Sequence, residues 1–324
     1  MKKTYLITGG TGFIGSAIAK RLIKEKNTKV ICLDSNLRGS LRKIKDIKNK
    51  ITFIKNDIRN LKELIKISKK VDSIIHLAFL NGTENFYKKP DLVLDIGVKG
   101  IINVIEACKK NSIKELIVAS SSEVYHSPFK IPTDETESIK IPDVFNPRFS
   151  YSTGKILTEI MSINNSKHFK KLLIFRPHNV YGPDMGFEHV IPELIYKIYK
   201  IKKNKKIIKL KIKGLGVETR AFNYIDDFVE GFMVMLKKGK HLNLYNIGSS
   251  KEITIKNLVN KIASLLNIKI NIQASNLPKG GTLRRCPNIN KIKKLGYKPK
   301  VKINDGLKSM INWYGKNLNL KKDV

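Results

Sequence analysis

Residues 7–15 read ITGGTGFIG, and Ile7 also ends the apolar stretch Tyr5-Leu6-Ile7. Glycine weakens strands and helices alike, so such crowding needs a physical reason. Gly10, Gly12 and Gly15 fit G-x-G-x-x-G, and Gly9, Gly12 and Gly15 equally fit G-x-x-G-x-x-G. In either register the string lies where a strand-like run ends and a helical one begins. There glycine permits a tight turn and lets backbone N–H groups approach a pyrophosphate at the helix N-terminus. Asp34 closes the next apolar run, 19 residues after Gly15. That is near the ~20 expected for a carboxylate that binds an adenosine ribose diol. Its charge repels a 2′-phosphate and favours NAD over NADP, and the nearby Arg38 weakens that preference.

Outward from this turn, short apolar runs of the buried-strand kind recur at Tyr5–Thr8, Val30–Leu33, Thr52–Ile54, Ser73–Leu77 and Glu115–Ala119. Helical patterns lie between and after them, at Gly15–Lys26, Val98–Lys110 and Ser152–Ser162. The alternation predicts right-handed βαβ units and an α/β fold, a Rossmann-type doubly wound parallel sheet. The pattern turns irregular from about residue 182, which predicts a smaller C-terminal α/β substrate domain. The expected division is a dinucleotide domain over 1–181 and a substrate domain over 182–324, with 222–248 returning to the first. Within that return Asn223–Lys237 reads as a helix and Asn243–Gly248 as a strand.

The bulk numbers bound the function. At 324 residues and 41% hydrophobic content the chain supports a large core. No apolar run approaches the ~18–20 residues that span a bilayer, and the run after Met1-Lys2-Lys3 stops at the glycines, short of a signal-peptide core. A cytoplasmic protein without membrane contact is expected. Cys32, Cys108 and Cys286 are scattered, read as reduced thiols, and form no metal spacing with histidines. The net charge of +36 invites a nucleic-acid reading. Only nine of the 63 basic residues are Arg, however, and the densest run, Lys197–Lys213, alternates Lys with Ile and Leu like a solvated face over a buried one. Nucleic acid is therefore not the expected partner.

Ser120-Ser121-Ser122-Glu123-Val124-Tyr125 follows the Glu115–Ala119 run, so its polar groups fall at the C-terminal edge of a parallel strand, where ligands bind. Further on, Tyr151-Ser152-Thr153-Gly154-Lys155 places a phenol and an ammonium four residues apart, on one helix face. A phenol titrates near ~10 in water. An adjacent ammonium favours the phenolate and makes Tyr151 a general base near neutral pH.

These motifs give the chain a clear resemblance to the extended short-chain dehydrogenases/reductases, specifically the NAD-dependent nucleotide-sugar epimerases/dehydratases. The likeness includes the glycine turn, Asp57 in NDIRN, HLA at His76–Ala78, SSSEVY, the Tyr-x-x-x-Lys pair, RPHNVYGP at Arg176–Pro183 and TRAFNYIDD at Thr219–Asp227. The resemblance implies NAD bound by Gly9, Gly12, Phe13, Ile14, Gly15, Asp34, Asp57, Ile58, Leu77, Ala78, Tyr151, Lys155 and Pro177. It implies that Tyr151 removes the sugar 4-OH proton, with Lys155 on the nicotinamide ribose and Ser121 on the same sugar oxygen. It implies a nucleotide-diphosphate sugar held by Ser121, Ser122, Asn179, Arg220 and Arg285, and a homodimer built through Val98–Lys110 and Ser152–Ser162.

Glu123 discriminates among activities. A 4-epimerase needs no carboxylate there, whereas members that act at C5 after forming the 4-ketone place an acid/base at this position. Epimerisation through a transient 4-keto sugar is the first expectation. A 4,6-dehydratase or UDP-glucuronate decarboxylase using Glu123 is the alternative, and an inactive, RNA-binding family member the rival of another class. Two positions depart from the family pattern: His126 stands where Gly usually follows "VY", and Gly97 where Asn is usual.

Overall fold

The computed structural model describes residues 2–202, 205–276 and 280–323. In chain order the strands are β1 (Lys3–Thr8), β2 (Thr28–Asp34), β3 (Thr52–Lys55), β4 (Ser73–His76), β5 (Glu115–Ala119), β6 (Lys171–Pro177), β7 (Val180–Tyr181), β8 (Ile207–Lys211), β9 (Thr219–Ala221), β10 (Asn223–Tyr224), β11 (Asn243–Ile247), β12 (Glu252–Thr254), β13 (Lys269–Gln273) and β14 (Arg284–Arg285). The helices are α1 (Phe13–Leu22), α2 (Leu61–Ile67), α3 (Thr83–Lys88), α4 (Pro90–Lys110), α5 (Ser150–Asn164), α6 (Val190–Lys202), α7 (Ile225–Lys238), α8 (Ile255–Leu265), α9 (Asn290–Lys293) and α10 (Ile303–Lys316).

Seven parallel strands form the central sheet in the order β11-β6-β5-β4-β1-β2-β3. Strand order reverses between β1 and β4, so the crevice at their C-terminal ends is the topological switch point where such sheets bind ligands. Successive side chains of a strand point to opposite faces. Leu6 of β1 therefore enters the apolar layer under α2, α4 and α5, with Ile74, Val104 and Val118. Ile7 enters the opposite layer under α1 and α7, with Ile18, Phe175, Phe228 and Phe232. Burial on both faces is why these strands read as continuous apolar runs. A third cluster, including Tyr181, Ile195, Leu258, Met310 and Tyr314, organises the C-terminal part around α6, α8 and α10.

The structure adjusts several sequence expectations. Helix α1 spans Phe13–Leu22 rather than residues 15–26, because Gly12, in extended conformation, already caps it. Asn223 and Tyr224 form a short strand beside Val180 and Tyr181, and the following helix starts only at Ile225. Asn243–Ile247 pairs with β6 as an edge strand of the main sheet. Strand β6 itself was not singled out in the sequence. In the lysine-rich run, Ile208 and Leu210 of β8 are buried between exposed neighbours, a solvated face over a buried one. Among the described residues no helix is long and apolar enough to cross a membrane, and no group of three or more His, Cys, Asp or Glu is placed to hold a metal.

Candidate active site

The glycine turn connects β1 to α1. Gly9 has a left-handed backbone, φ 74°, and its carbonyl accepts the Gly12 N–H at 3.1 Å. A Cβ at Gly15 would overlap that same carbonyl oxygen, and one at Gly10 would overlap Cys32 of β2. Three glycines are thus fixed by close backbone approach, and the first-turn N–H groups of α1 are left without intrahelical partners. The Phe13 and Ile14 side chains pack back into the apolar layers, so those residues offer the turn their backbone alone.

A cleft runs along the strand ends, lined by Gly9, Gly12, Asp34, Asp57, Ile58, Leu77 and Ala78. The Asp34 carboxylate accepts the N–H groups of Thr11 (3.0 Å) and Asn36 (2.8 Å), which aims it along the glycine turn. Thr8 Oγ1 accepts the Leu77 and Ala78 N–H groups at 3.2 Å and so ties the end of β4 to the turn. Asp57 pairs with Arg59 at 2.6 Å, which holds its carboxyl below the usual range. A close-packed glycine turn, a carboxylate at the end of β2 and a helix N-terminus fit an adenine dinucleotide. Arg38 lines the same cleft as Asp34. It pairs at 2.9 Å with Glu188, and Arg42 pairs at 2.7 Å with Asp184, so two ion pairs link the loop after β2 to residues 184–188.

The catalytic candidates come from β5 and α5. Tyr151 lies in the first turn of α5, buried, with Phe86 stacked on it and Phe79 edge-on. Ser121 lies near its phenol and favours the charged form. Lys155, one turn on, donates to the Ala119 carbonyl at 2.7 Å. A buried pair anchors this region: Arg176 of β6 forks onto Glu159 of α5 at 2.8 and 2.7 Å, and Ser120 bonds the same carboxylate.

Burial works against the acidic phenol expected from the Tyr-x-x-x-Lys spacing. Burial holds Tyr151 above its ordinary value, only partly offset by Ser121. Burial also pushes Lys155 down to about 7, with Glu159 pulling it up. Desolvation is the largest effect on both and penalises both charged forms.

Glu123, two residues after Ser121, meets arginines. Arg285 forms a short ion pair with it, and Arg148 lies 3.8 Å from its other oxygen. Arg285 and Arg148 hold the carboxyl down at about 2 against the effect of burial, with Arg220 assisting. Arg220 is held by the Thr219 and Thr282 carbonyls, both at 2.7 Å, and Asn179 bonds Ala221 of the same strand. Three guanidinium groups against one carboxylate leave a cationic wall suited to an anionic ligand. Ser122 is buried at the start of the turn that carries Glu123, and Pro177 ends β6. His178 is a packed imidazole bonded to Asn246 at 3.0 Å. Sequence reading missed Arg148, Phe79 and Glu188. For Arg148 a signal existed, a lone Arg in a lysine-rich chain three residues before Tyr151.

A model of the NAD dependent epimerase/dehydratase family matches residues 5–248. A dTDP-D-glucose 4,6-dehydratase of Dictyostelium discoideum is 34% identical over 274 residues, which cover 80% of this chain and 61% of that protein. A putative UDP-glucose 4-epimerase of Methanocaldococcus jannaschii is 32% identical over 316 residues, 96% of this chain and 98% of that one. Among solved structures, the dTDP-glucose 4,6-dehydratase of Bacillus anthracis in complex with NAD superposes with TM-score 0.84 at 26% identity, covering 99% of both chains.

Proposed function

Since the chain belongs to the NAD-dependent epimerase/dehydratase family, we propose that it epimerises a nucleotide-diphosphate sugar through a transient 4-keto intermediate, with NAD as its cofactor. In this reading Gly9, Gly12, Gly15 and Asp34 hold the adenosine diphosphate half, Asp57 and Ile58 flank the adenine, and Leu77 and Ala78 line its course. Residues 1–181 with 222–248 serve the cofactor, and 182–324 serve the nucleotide sugar. Arg220, Arg285 and Asn179 face the diphosphate.

NAD+ supplies the hydride acceptor for C4 of the sugar. The chain handles the proton. Tyr151 accepts it from the sugar 4-OH, Ser121 holds that oxygen in line, and Lys155 stands one turn behind to favour the charged phenol. Reduction of C4 again from its opposite face by the same hydride, with Tyr151 returning the proton to the carbonyl oxygen, completes an epimerisation.

The observation that carries epimerisation over C5 chemistry is the state of Glu123. A carboxylate held near 2 by two arginines is a poor proton acceptor at neutral pH. The exposed apolar residues Ile102 of α4 and Ile160 and Ile163 of α5 support a homodimer through these helices. The test is a panel of UDP-, GDP-, CDP- and dTDP-sugars with products resolved by mass and NMR. An isomer of unchanged mass is expected. Loss of 18 or 44 mass units would replace the proposal with dehydration or decarboxylation. Tyr151→Phe is expected to cut turnover by about a thousandfold or more while leaving NAD binding intact.

A further inference from the structure

Gly97 and Gly154 each sit inside a helix, where glycine costs about 1 kcal/mol relative to alanine. Both face the same object, the ring of Phe79, which follows the HLA segment. A Cβ at Gly97 would overlap the ring tip, and one at Gly154 would lie 2.7 Å from it. The ring therefore occupies a notch between α4 and α5, cut by two missing side chains. From there it meets Tyr151 edge-on, with centroids 5.1 Å apart and planes at 80°. The Lys155 ammonium lies 4.3 Å from the ring centroid, within cation–π range. Phe86 is stacked on Tyr151, with centroids 4.8 Å apart.

We propose that Phe79 is a positioning residue for the Tyr151–Lys155 pair: seated in the Gly97–Gly154 notch, its ring keeps water from the Lys155 ammonium and fixes the plane of the Tyr151 ring. This gives position 97 a physical reason, since a larger residue there would displace the ring from the notch. The charged and polar groups packed around Lys155 are few: the Ala119 carbonyl, Glu159, Tyr151 and, through electrostatics, the neutral His76. Phe79 forms the apolar part of that enclosure. The catalytic meaning of the pair rests on the proposed function; its enclosure does not.

The test uses the full-length, cofactor-free chain with isotope-labelled lysine. The Lys155 resonance is identified by its loss in Lys155→Arg, and its titration is followed by NMR. Phe79→Ala is expected to admit water and raise the Lys155 midpoint from about 7 by one unit or more. Phe79→Val, a milder truncation, is expected to raise it by at least half a unit and serves if the alanine variant fails to fold. On the loaded enzyme, kcat of the folded variant falls about tenfold with KM within threefold, and its pH profile moves in the same direction. An unmoved Lys155 midpoint in the folded variants overturns the proposal whatever the activity. A moved midpoint in a chain that turns over no nucleotide sugar supports the positioning and sinks the functional reading alone.

Discussion

Replacing Glu123 with Gln removes one negative charge from a wall that holds three guanidinium groups. In the native chain the carboxyl is lowered from about 4.5 to about 2, chiefly by Arg285 and then Arg148, despite burial. A shift of that size corresponds to about 3 kcal/mol favouring the ionised, paired state. For a carboxyl depressed on folding, the stabilisation is complete above the unfolded value near 4.5 and is lost as pH falls towards 2. Urea denaturation of the wild type should therefore weaken progressively across that window. Glu123→Gln should be less stable by about 3 kcal/mol at pH 7 and should lack this component of the acid transition. Turnover at C4 should stay within a factor of about three, and the freed Arg285 should lower KM for a nucleotide-diphosphate sugar. Equal stability of the two proteins from pH 2 to 7 would refute the ion-pair reasoning. A thousandfold loss of kcat with retained fold would restore Glu123 as an acid/base and favour dehydration or decarboxylation.

Gly15→Ala gains helix propensity of about 1 kcal/mol but overlaps the Gly9 carbonyl, so the turn must open. NAD affinity measured by calorimetry should fall at least tenfold, and unchanged affinity would remove the turn from the cofactor site. Glu159→Gln breaks a pair whose side chains are only 3–4% exposed; a loss of about 3–5 kcal/mol in urea is expected. The same change should lower the Lys155 midpoint further, since Glu159 is the group that raises it. Glu188→Gln should release Arg38 and speed NAD dissociation severalfold in stopped-flow fluorescence, with a stability change under about 1 kcal/mol because the pair is partly exposed. Unchanged dissociation would show that the link across the cleft does not retain cofactor.

What was legible in the sequence is what neighbouring residues determine. The glycine turn, Asp34 at the end of β2, and the i,i+4 pair Tyr151 and Lys155 each depend on local geometry, and each was readable. The central strands betrayed themselves by unbroken apolar runs because both sheet faces are covered. What stayed hidden depends on distant chain. Arg148 gains meaning only beside Glu123 and Gly280, whose segment approaches from the far end of the sequence and carries Arg285. Gly97 read as a departure from the family pattern, and its cause, the ring of Phe79, lies on another strand end. The burial that raises the Tyr151 phenol was hidden too, because spacing reports proximity of charge and says nothing of desolvation.

If this chain oxidises a sugar at C4 and reduces the same carbon again, with Tyr151 handling the proton, the hydrogen on C4 never reaches solvent. The most direct measurement supplies a nucleotide sugar deuterated at C4 in ordinary water and a second, unlabelled sample in D2O. An isomeric product is expected that keeps deuterium at C4 in the first sample and acquires no carbon-bound deuterium in the second. Solvent deuterium at C5 or C6 of the product, or loss of the C4 label to water, would contradict it.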